Sequence, residues 1–430
     1  MPRPVPDKAA YPAVAAPCPY FGACGGCTLH DLAYTDQVAL KRERLRRALA
    51  PLGPVPPVDV VPMPEPWRYR NRAEFTFSQR DGALQLGFHE AGSFRKVVDL
   101  EDCLLLPESL MRIVRSARAL AADTGLSAYH PRTHQGFFRY LLARHSALTR
   151  THLVCLVTAP GDRAVVARWA QALRARHPDL ASVFWGTTSR LADVAVPDAL
   201  ETLAGEDRFE EAVGPWRLAL HPFSFLQSST AQADRMYATL LDWLPARPAG
   251  VAWDLYCGAG VIALYLGRQF GRVYGIDVVG HHVALARENA ARHGLTHVQF
   301  QEGKTEELLL DRRFWLGEAK PDVVVVDPPR AGLHLQALNS VLAARPTHLG
   351  YVSCQPQALA RDAQLLGRSY PRYRLTRLAA FDLFPQTDHL ETVALFEISR
   401  PELAGQNVVV RGKRRDAGRV VGRMGPRVLR

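Results

Sequence analysis

The sequence lacks the long hydrophobic runs that would place the chain in a membrane. Among its 430 residues, no apolar stretch approaches the ~18 residues that a membrane-spanning helix requires. Six prolines interrupt the first 20 residues, so the apolar core of a secretory signal is missing as well. Internal repeats are also absent. These absences argue against membrane and secreted classes, and we expect a cytoplasmic protein.

Acidic side chains are too few to balance the basic ones. The 53 Lys and Arg residues exceed the 42 Asp and Glu residues, which gives a formal net charge of +11. This excess favours a polyanionic partner, in the first place nucleic acid and less so an anionic membrane surface. The hydrophobic content of 47% is that of an ordinary globular protein, and the length allows two or three domains with their own cores.

Cysteine is scarce, and the odd number of 7 does not suit a disulfide framework. Cys18, Cys24 and Cys27 fall in one Gly-rich segment, CPYFGACGGCTLH (residues 18–30, the cysteine loop), and Cys103 could supply a fourth thiolate. Four thiolates bind either a tetrahedral zinc ion or a 4Fe-4S cluster, and the spacing alone does not decide between them. The aromatic and aliphatic neighbours favour the iron–sulfur cluster slightly.

The chain divides into segments of different composition. Residues 1–17 are predicted to be a disordered leader, and residues 18–54 the cysteine loop with a helix. Residues 55–215 alternate strands and helices and predict a central α+β domain. Residues 216–400 alternate near-continuous apolar strands with helices, which predicts an α/β, doubly wound, mainly parallel Rossmann-like sheet. Residues 401–430 form a basic, Gly- and Arg-rich tail that we expect to be flexible.

The hydrophobic pattern also predicts individual elements. In the central domain, strands are predicted at 73–79, 84–90, 151–159 and 182–188, and helices at 110–125 and 162–177. In the following segment, strands are predicted at 251–256, 272–277, 297–303, 322–327, 348–354 and 392–398, with a helix at 280–294.

A Gly-rich turn follows the first strand of the doubly wound segment, in DLYCGAGV (254–261). Gly258 and Gly260 let this turn approach a ligand, and the next helix presents free N–H groups to it. Asp277 ends the second strand, where a carboxylate can accept hydrogen bonds from both hydroxyls of a ribose. Such a site fits a nicotinamide dinucleotide or S-adenosylmethionine.

DPPRAG (327–332) narrows the choice, because it places Asp327 and two prolines at the end of the fourth strand. Enzymes that methylate exocyclic amines carry an aromatic residue after such prolines to stack on the base, whereas Arg330 stands there in this chain. No partner motif for hydride transfer follows, which argues against a dehydrogenase. S-adenosylmethionine is therefore the favoured cofactor.

A cysteine and a glutamate complete the candidate site: Cys354 in YVSCQP and Glu391 in FPQTDHLE. Carbon 5 of uracil is a poor nucleophile, but a thiolate that adds to carbon 6 generates an enolate, and carbon 5 can then accept a methyl group. A base must afterwards remove the hydrogen on carbon 5 so that the thiolate can leave. Cys354 and Glu391 would supply these two groups, whereas Cys155 and Cys257 are expected to be inert core residues.

Together, the motifs resemble those of the RNA uracil-5-methyltransferase family, in particular its bacterial 23S ribosomal RNA enzymes. CPYFGACGGC, FLQSST, DLYCGAG, DPPRAG, YVSCQP and FPQTDHLE occur in family order and span about residues 18–398. The resemblance implies that Cys354 is the nucleophile and Glu391 the base. It implies contacts to S-adenosylmethionine from Gln227, Tyr256, Asp277, Gly303 and Asp327. It also implies a 4Fe-4S cluster on Cys18, Cys24, Cys27 and Cys103.

The resemblance further implies a monomer whose central domain binds single-stranded or looped RNA, with 23S rRNA as the first choice of substrate. Many relatives begin with a small RNA-binding β-barrel, which we do not expect because only 17 residues precede Cys18. Three alternatives remain: a tRNA uracil-5-methyltransferase, an RNA cytosine-5-methyltransferase and a cluster-bearing RNA-binding protein without catalysis. The cytosine enzyme would need a second cysteine in the DPPRAG motif, which has none.

Overall fold

The computed structural model describes residues 7–93, 95–192, 195–309, 320–369 and 372–399. The basic tail that the sequence predicts to be flexible lies outside these residues. Within the described ranges, no helix is long and apolar enough to cross a membrane.

Strands and helices alternate along the described chain. The strands are β1 (Val60–Val61), β2 (Arg72–Arg80), β3 (Ala83–His89), β4 (Val97–Asp99), β5 (Phe138–His145), β6 (His152–Thr158), β7 (Leu180–Thr187), β8 (Ala199–Ala204), β9 (Phe209–Val213), β10 (Trp216–Leu220), β11 (Arg247–Leu255), β12 (Phe270–Asp277), β13 (Val298–Glu302), β14 (Val323–Val326), β15 (His348–Ser353), β16 (Tyr373–Phe381) and β17 (Glu391–Ile398). The α-helices are α1 (Tyr34–Leu49), α2 (Glu108–Ala122), α3 (Arg163–Arg176), α4 (Thr230–Trp243), α5 (Val261–Leu266), α6 (Gly280–Arg292), α7 (Thr305–Leu308), α8 (Leu335–Ala344) and α9 (Pro356–Arg368). Two short 3-10 helices cover Lys8–Ala10 and Ala50–Leu52.

The central segment forms a mixed sheet with the order β4-β3-β2-β5-β6-β7-β8. Alternate residues of β2, such as Phe75 and Phe77, point to one face and pack with apolar residues of α2 and α3. The opposite face of β5 and β6 buries Leu142 and Cys155 in a core that also contains residues of the C-terminal sheet. The central domain and the C-terminal domain therefore share part of one hydrophobic core.

The C-terminal segment forms a second sheet, with the order β1-β16-β17-β15-β14-β11-β12-β13. The strands from β15 to β13 run parallel, and β17 is antiparallel to both of its neighbours. The expected doubly wound, mainly parallel, Rossmann-like fold is confirmed. The chain reverses its direction across the sheet between β11 and β14, and ligands bind at the carboxyl ends of strands at such a point.

Residues of the N-terminal leader contact the segment that follows it. Lys8 Nζ donates a hydrogen bond to the carbonyl oxygen of Thr28 (2.9 Å) and pairs with Asp31 (2.5 Å). The Val14 N–H donates to the carbonyl oxygen of Asp31 (2.8 Å). These polar contacts connect Lys8 and Val14 to the cysteine loop and to Asp31 after it, while the disorder of the leader as a whole stays a prediction.

A buried ion pair connects α1 to the segment that precedes β17. Lys41 and Asp382 are almost wholly buried, and Lys41 Nζ lies 2.7 Å from Asp382 Oδ1. Next to this pair, Gln37 Nε2 donates to Gln386 Oε1 (2.8 Å), and the Gln386 N–H donates to Gln37 Oε1 (2.9 Å). The Gln386 carbonyl accepts the N–H groups of Thr28 and Leu29. Helix α1, the cysteine loop and the 382–390 loop are thus held together.

Replacing Lys41 by Met should destabilise the protein by about 3–5 kcal/mol, because the Asp382 carboxylate would remain buried without its partner. The free energy of unfolding from urea titration measures this loss. The double variant Lys41→Met/Asp382→Asn should recover part of the loss. Arg42→Met, which removes an exposed ion pair with Asp59 on the same helix, is the matched control and should cost about 0–1 kcal/mol. Equal losses for Lys41→Met and Arg42→Met would contradict this account.

Candidate active site

A groove of about 880 Å³ lies between the cysteine loop, α1 and the ends of β14 and β15. Cys354 and Arg330 line it on the side of the C-terminal sheet, and Cys27 on the side of the cysteine loop. Lys41 and Arg44 contribute positive charge from α1. This volume falls within the ~300–1,000 Å³ of ordinary ligand pockets. Its basic walls suit an anionic ligand.

The pairing of β15 with β17 places Glu391 beside Cys354. Ser353 is the register partner of Thr392 in this antiparallel ladder, so the next residue on each strand, Cys354 and Glu391, come to face each other. Thr392 Oγ1 also donates to the carbonyl oxygen of Ser353 (3.0 Å), which fixes the two strand ends. The sequence named both residues, but their separation of 37 positions says nothing about this contact.

The electrostatic environment of the pair raises both pKa values. The pKa of the Cys354 thiol is raised to about 11, mainly by burial and to a smaller extent by the negative charge of Glu391, while Arg330 opposes the shift. Burial also raises the pKa of Glu391 well above its usual range, with the Asp327 carboxylate adding to the effect and Arg330 opposing it. Desolvation raises the pKa of Asp327 itself to about 7. A carboxyl group with a raised pKa can take up a proton at neutral pH.

The Gly-rich turn after β11 is fixed by Asp277. The Gly258 N–H donates to Asp277 Oδ2 (2.9 Å), and the Val279 N–H donates to Asp277 Oδ1 (2.9 Å). Burial raises the pKa of Asp277, but hydrogen bonds from His282 and from these two N–H groups outweigh it, so the pKa falls below its ordinary value. Asp277 is therefore ionised and holds the turn. At Gly260, φ is +85° and a Cβ atom would lie 2.9 Å from the Ala286 side chain, so only glycine fits there.

Tyr256 and Gly303 flank the same turn. Tyr256 has a left-handed backbone (φ 65°), and burial raises the pKa of its hydroxyl to about 12. The Gly303 N–H donates to the carbonyl oxygen of Asp277 (2.9 Å), and φ is +150° at this glycine. The structure therefore gathers Tyr256, Gly258, Gly260, Asp277 and Gly303 around the carboxyl ends of β11, β12 and β13.

Gln227 approaches from the segment that leads into α4. Its side chain is 4% exposed, and its Oε1 has no hydrogen-bond partner among the described residues. The buried Tyr237 has a pKa raised by burial and by Asp327, and Gln227 hydrogen-bonds its hydroxyl, so Gln227 lies close to Asp327 and Glu391. A buried acceptor without a donor is costly, and a donor on a ligand would offset that cost.

The four cysteines of the expected metal site surround one small cavity of about 30 Å³. Cys18, Cys24, Cys27 and Cys103 all line it, with aromatic and aliphatic side chains between them. The pKa of Cys103 is raised to about 11, mainly by burial, with smaller contributions from the negative charges of Cys24 and Cys18. The structure thus brings the four thiols to one cavity, but in the described ranges no group of three or more His, Cys, Asp or Glu side chains is arranged to hold a metal ion.

Comparisons with known proteins all relate this chain to RNA methyltransferases. The profile described as tRNA (Uracil-5-)-methyltransferase matches residues 219–398. An uncharacterized RNA methyltransferase of Chlorobaculum tepidum is 34% identical and covers 88% of this chain and 82% of its own length. One from Nitratidesulfovibrio vulgaris is 36% identical over 88% of this chain and 81% of its own. The crystal structure of Pyrococcus abyssi tRNA (uracil-54, C5)-methyltransferase in complex with S-adenosyl-L-homocysteine superposes with a TM-score of 0.70, at 27% identity, and covers 86% of this chain and 85% of that one.

The chain belongs to the RNA uracil-5-methyltransferase family. It is therefore an RNA methyltransferase, as the motifs of the sequence predicted. The groove that Cys354 lines, with Glu391 buried next to Cys354, is the candidate active site of this methyltransferase.

The structure places Arg330, His389 and Asn71 at the site, and the sequence had not assigned a role to any of them. Arg330 Nη2 lies 3.0 Å from His389 Nδ1, at the mouth of the groove beside Cys354. Asn71 Nδ2 donates to the carbonyl oxygen of Gln227 (2.8 Å) and so fixes the Gln227 segment from the central sheet. The DPPRAG motif contains Arg330 and could have suggested it. No local signal connects Asn71 with a residue 156 positions away.

Alkylation of Cys354 should be slow at neutral pH and should accelerate with pH up to the thiol pKa of about 11. Above the raised pKa of Glu391, where its carboxylate is charged, Glu391→Gln removes that negative charge, lowers the thiol pKa and should speed alkylation. Arg330→Ala removes a positive charge, raises the thiol pKa and should slow it. Iodoacetamide labelling of the Cys354 peptide, followed by mass spectrometry, measures both rates. Arg374→Ala, on the exposed side of β16, is the matched control, and shifts of equal sign in the two test variants would refute the electrostatic account.

Proposed function

We propose that this enzyme transfers a methyl group from S-adenosylmethionine to carbon 5 of a uridine in RNA through a covalent Cys354–uracil intermediate. The register of β15 and β17, which sets the buried Glu391 carboxyl group beside the Cys354 thiol in a basic groove, is the observation that carries the proposal. A thiol and a base are the two groups that methylation of this carbon requires.

The residues around the Gly-rich turn fit S-adenosylmethionine, which when bound would supply the methyl group as an electrophile on a sulfonium. Gln227 offers a buried acceptor without a partner, and Asp277 offers an ionised carboxylate at the end of β12. Asp327 lies close to the Cys354–Glu391 pair and to Tyr237, because its charge contributes to the raised pKa values of all three. The complex of the similar Pyrococcus abyssi enzyme with S-adenosyl-L-homocysteine supports the same assignment.

In the proposed mechanism, single-stranded or looped RNA enters the groove, and the exposed Arg330 and the partly exposed Arg44 contact its phosphates. The target uridine leaves its stack, which costs a few kcal/mol. The Cys354 thiolate adds to carbon 6, and the resulting enolate carries its negative charge at carbon 5. This carbon would then take the methyl group from S-adenosylmethionine, as the bond between the methyl group and the sulfonium sulfur breaks and leaves S-adenosylhomocysteine. Glu391 then accepts the proton from carbon 5. The electron pair of that C–H bond restores the ring double bond and expels the Cys354 thiolate.

For the RNA, we propose 23S rRNA as the substrate, bound by one protomer. The motif resemblance to the bacterial 23S rRNA enzymes supports both the substrate and the monomer. A tRNA substrate is the second candidate, because the similar Pyrococcus abyssi enzyme is named a tRNA (uracil-54, C5)-methyltransferase. The substrate places the proposed activity in the cytoplasm.

The deciding experiment uses 23S rRNA fragments and tRNA transcripts made with 5-fluorouridine. Since fluorine at carbon 5 cannot be removed as a proton, the reaction should stop at a protein–RNA adduct that survives denaturation and shifts on a gel. Cys354→Ala should abolish the adduct and reduce methyl transfer below detection, while S-adenosylmethionine binding by calorimetry stays unchanged.

Two further variants complete this experiment. Glu391→Gln should trap the adduct on ordinary uridine RNA, because proton removal fails after methylation. Cys155→Ala, at a buried cysteine far from the groove, should form and release product normally. An adduct that forms on tRNA alone would identify tRNA, and not 23S rRNA, as the substrate. Clean RNA binding with no adduct on any RNA would instead support an RNA-binding protein without catalysis.

We also propose that Cys18, Cys24, Cys27 and Cys103 hold a 4Fe-4S cluster. Four thiols around one largely apolar cavity match the ligand set of such a cluster. The cluster would also stabilise the fold, because the cysteine loop is hydrogen-bonded to the 382–390 loop through Gln386.

Anaerobic reconstitution with iron and sulfide should yield about four iron atoms per chain and a broad charge-transfer absorbance. Cys103→Ala should lose most of the iron and part of the thermal stability, whereas Cys155→Ala should retain both. Iron and zinc contents by elemental analysis provide the measurement. One zinc atom per chain, with no iron bound, would identify the zinc alternative.

A further inference from the structure

A second cavity, of about 550 Å³, lies on the central sheet outside the catalytic groove. Thr76, His89 and Tyr140 of β2, β3 and β5 form part of its floor, and Arg95, Tyr129 and Arg132 stand at its rim. Elsewhere on this sheet, β5 and β6 pack against the C-terminal domain. The cavity is therefore an uncovered part of the sheet, with a size typical of ligand pockets.

The cavity and the catalytic groove share one hairpin, between β3 and β4. Ala91, Gly92 and Ser93 of this hairpin line the groove, whereas Arg95 and Val97 line the cavity. A polymer that occupies the groove can therefore continue over the hairpin into the cavity. A small ligand would occupy only the groove or only the cavity, so the connection between the two matters only for a polymer.

Tyr129 is a fixed aromatic platform in the cavity. The guanidinium of Arg139 covers its ring at 4.1 Å from the centroid, and the Tyr129 hydroxyl is hydrogen-bonded to His134 Nδ1 (2.9 Å). Arg139 is itself 3% exposed and is held by donating to the carbonyl oxygens of Arg190 (2.7 Å) and Ala192 (2.9 Å). The ring is thus supported from behind, as a stacking surface for a base requires.

The charged side chains that line the cavity, among the described residues, are all arginines and therefore positive. Arg95 and Arg132 are exposed, and neither forms an ion pair within the described residues. No carboxylate is among the described residues that line the cavity. Exposed guanidinium groups beside a rigid aromatic ring match the phosphate and the base of one nucleotide.

We propose that this cavity binds a nucleotide of the substrate RNA other than the methylated uridine, with its base stacked on Tyr129 and its phosphate at Arg95 and Arg132. The proposal rests on the proposed function and adds a second contact that selects the RNA. Because the base is recognised by stacking, the subsite fits an unpaired nucleotide and excludes one in a continuous duplex.

Binding of a fluorescently labelled substrate RNA, measured by anisotropy over a range of salt concentrations, tests the proposal. Tyr129→Leu and Arg132→Ala should each weaken RNA binding roughly tenfold. Arg132→Ala should also reduce the slope of log K against log salt by about one. Arg174→Ala is the matched control, since this residue lies at the end of α3, on the other face of the sheet. S-adenosylmethionine binding and adduct formation at saturating RNA should be the same in all variants.

Wild-type affinity and salt dependence in both test variants would overturn the subsite. Should Tyr129→Leu fail to fold, Arg132→Ala and Arg95→Ala decide the question alone, because both positions are exposed. Failure of the proposed function has a different signature, namely no 5-fluorouridine adduct in the wild-type protein. In that case the RNA-binding comparison still reports on the subsite. Ultraviolet crosslinking of RNA to the Tyr129 peptide, lost in Tyr129→Leu, gives an independent readout.

Discussion

The insertion of β17 between β15 and β16 is the constraint on which the site depends. Both edges of β17 are hydrogen-bonded, since Thr392 faces Ser353 on one side and Glu391 faces Phe381 on the other. A shift by one residue would turn every β17 side chain to the opposite face of a buried sheet, which its apolar residues forbid. The hydrophobic core thereby fixes the position of a carboxyl group that would be costly to bury for any structural purpose.

The segment before β17 is held from a second direction. Gln386 bonds to Gln37 of α1 and to the backbone of the cysteine loop, and Asp382 is paired with Lys41. The cysteine loop, the basic wall of the groove and the candidate base therefore form one hydrogen-bonded unit. The four cysteines are far from Glu391 in sequence, but these contacts connect the cysteine loop to the segment that precedes Glu391.

Elements with a simple pattern were predictable, and elements with buried polar side chains were not. The run DVVVVD predicted β14, and the strands that became β11, β12, β13, β15 and β17 were also confirmed. Strand β5 was missed, because Arg139 and Arg144 interrupt the apolar run of a fully buried strand. Arg144 is tolerated there because it donates to the carbonyl oxygens of His221, Pro222 and Ser224. Those partners follow 77 to 80 residues later, so no local pattern shows them.

The sequence by itself determined the family and the doubly wound sheet and proposed Cys354 and Glu391 as the reactive groups, because these depend on short motifs and on local hydrophobic periodicity. Only the tertiary structure decided that Glu391 faces Cys354, that Asn71 and Gln37 hold the segments around them, and that Tyr129 rests on Arg139. It also showed that Lys8 of the N-terminal leader contacts the cysteine loop. The reason is that strand register, buried hydrogen bonds and desolvation depend on residues distant in the chain, which become neighbours only when both sheets have formed.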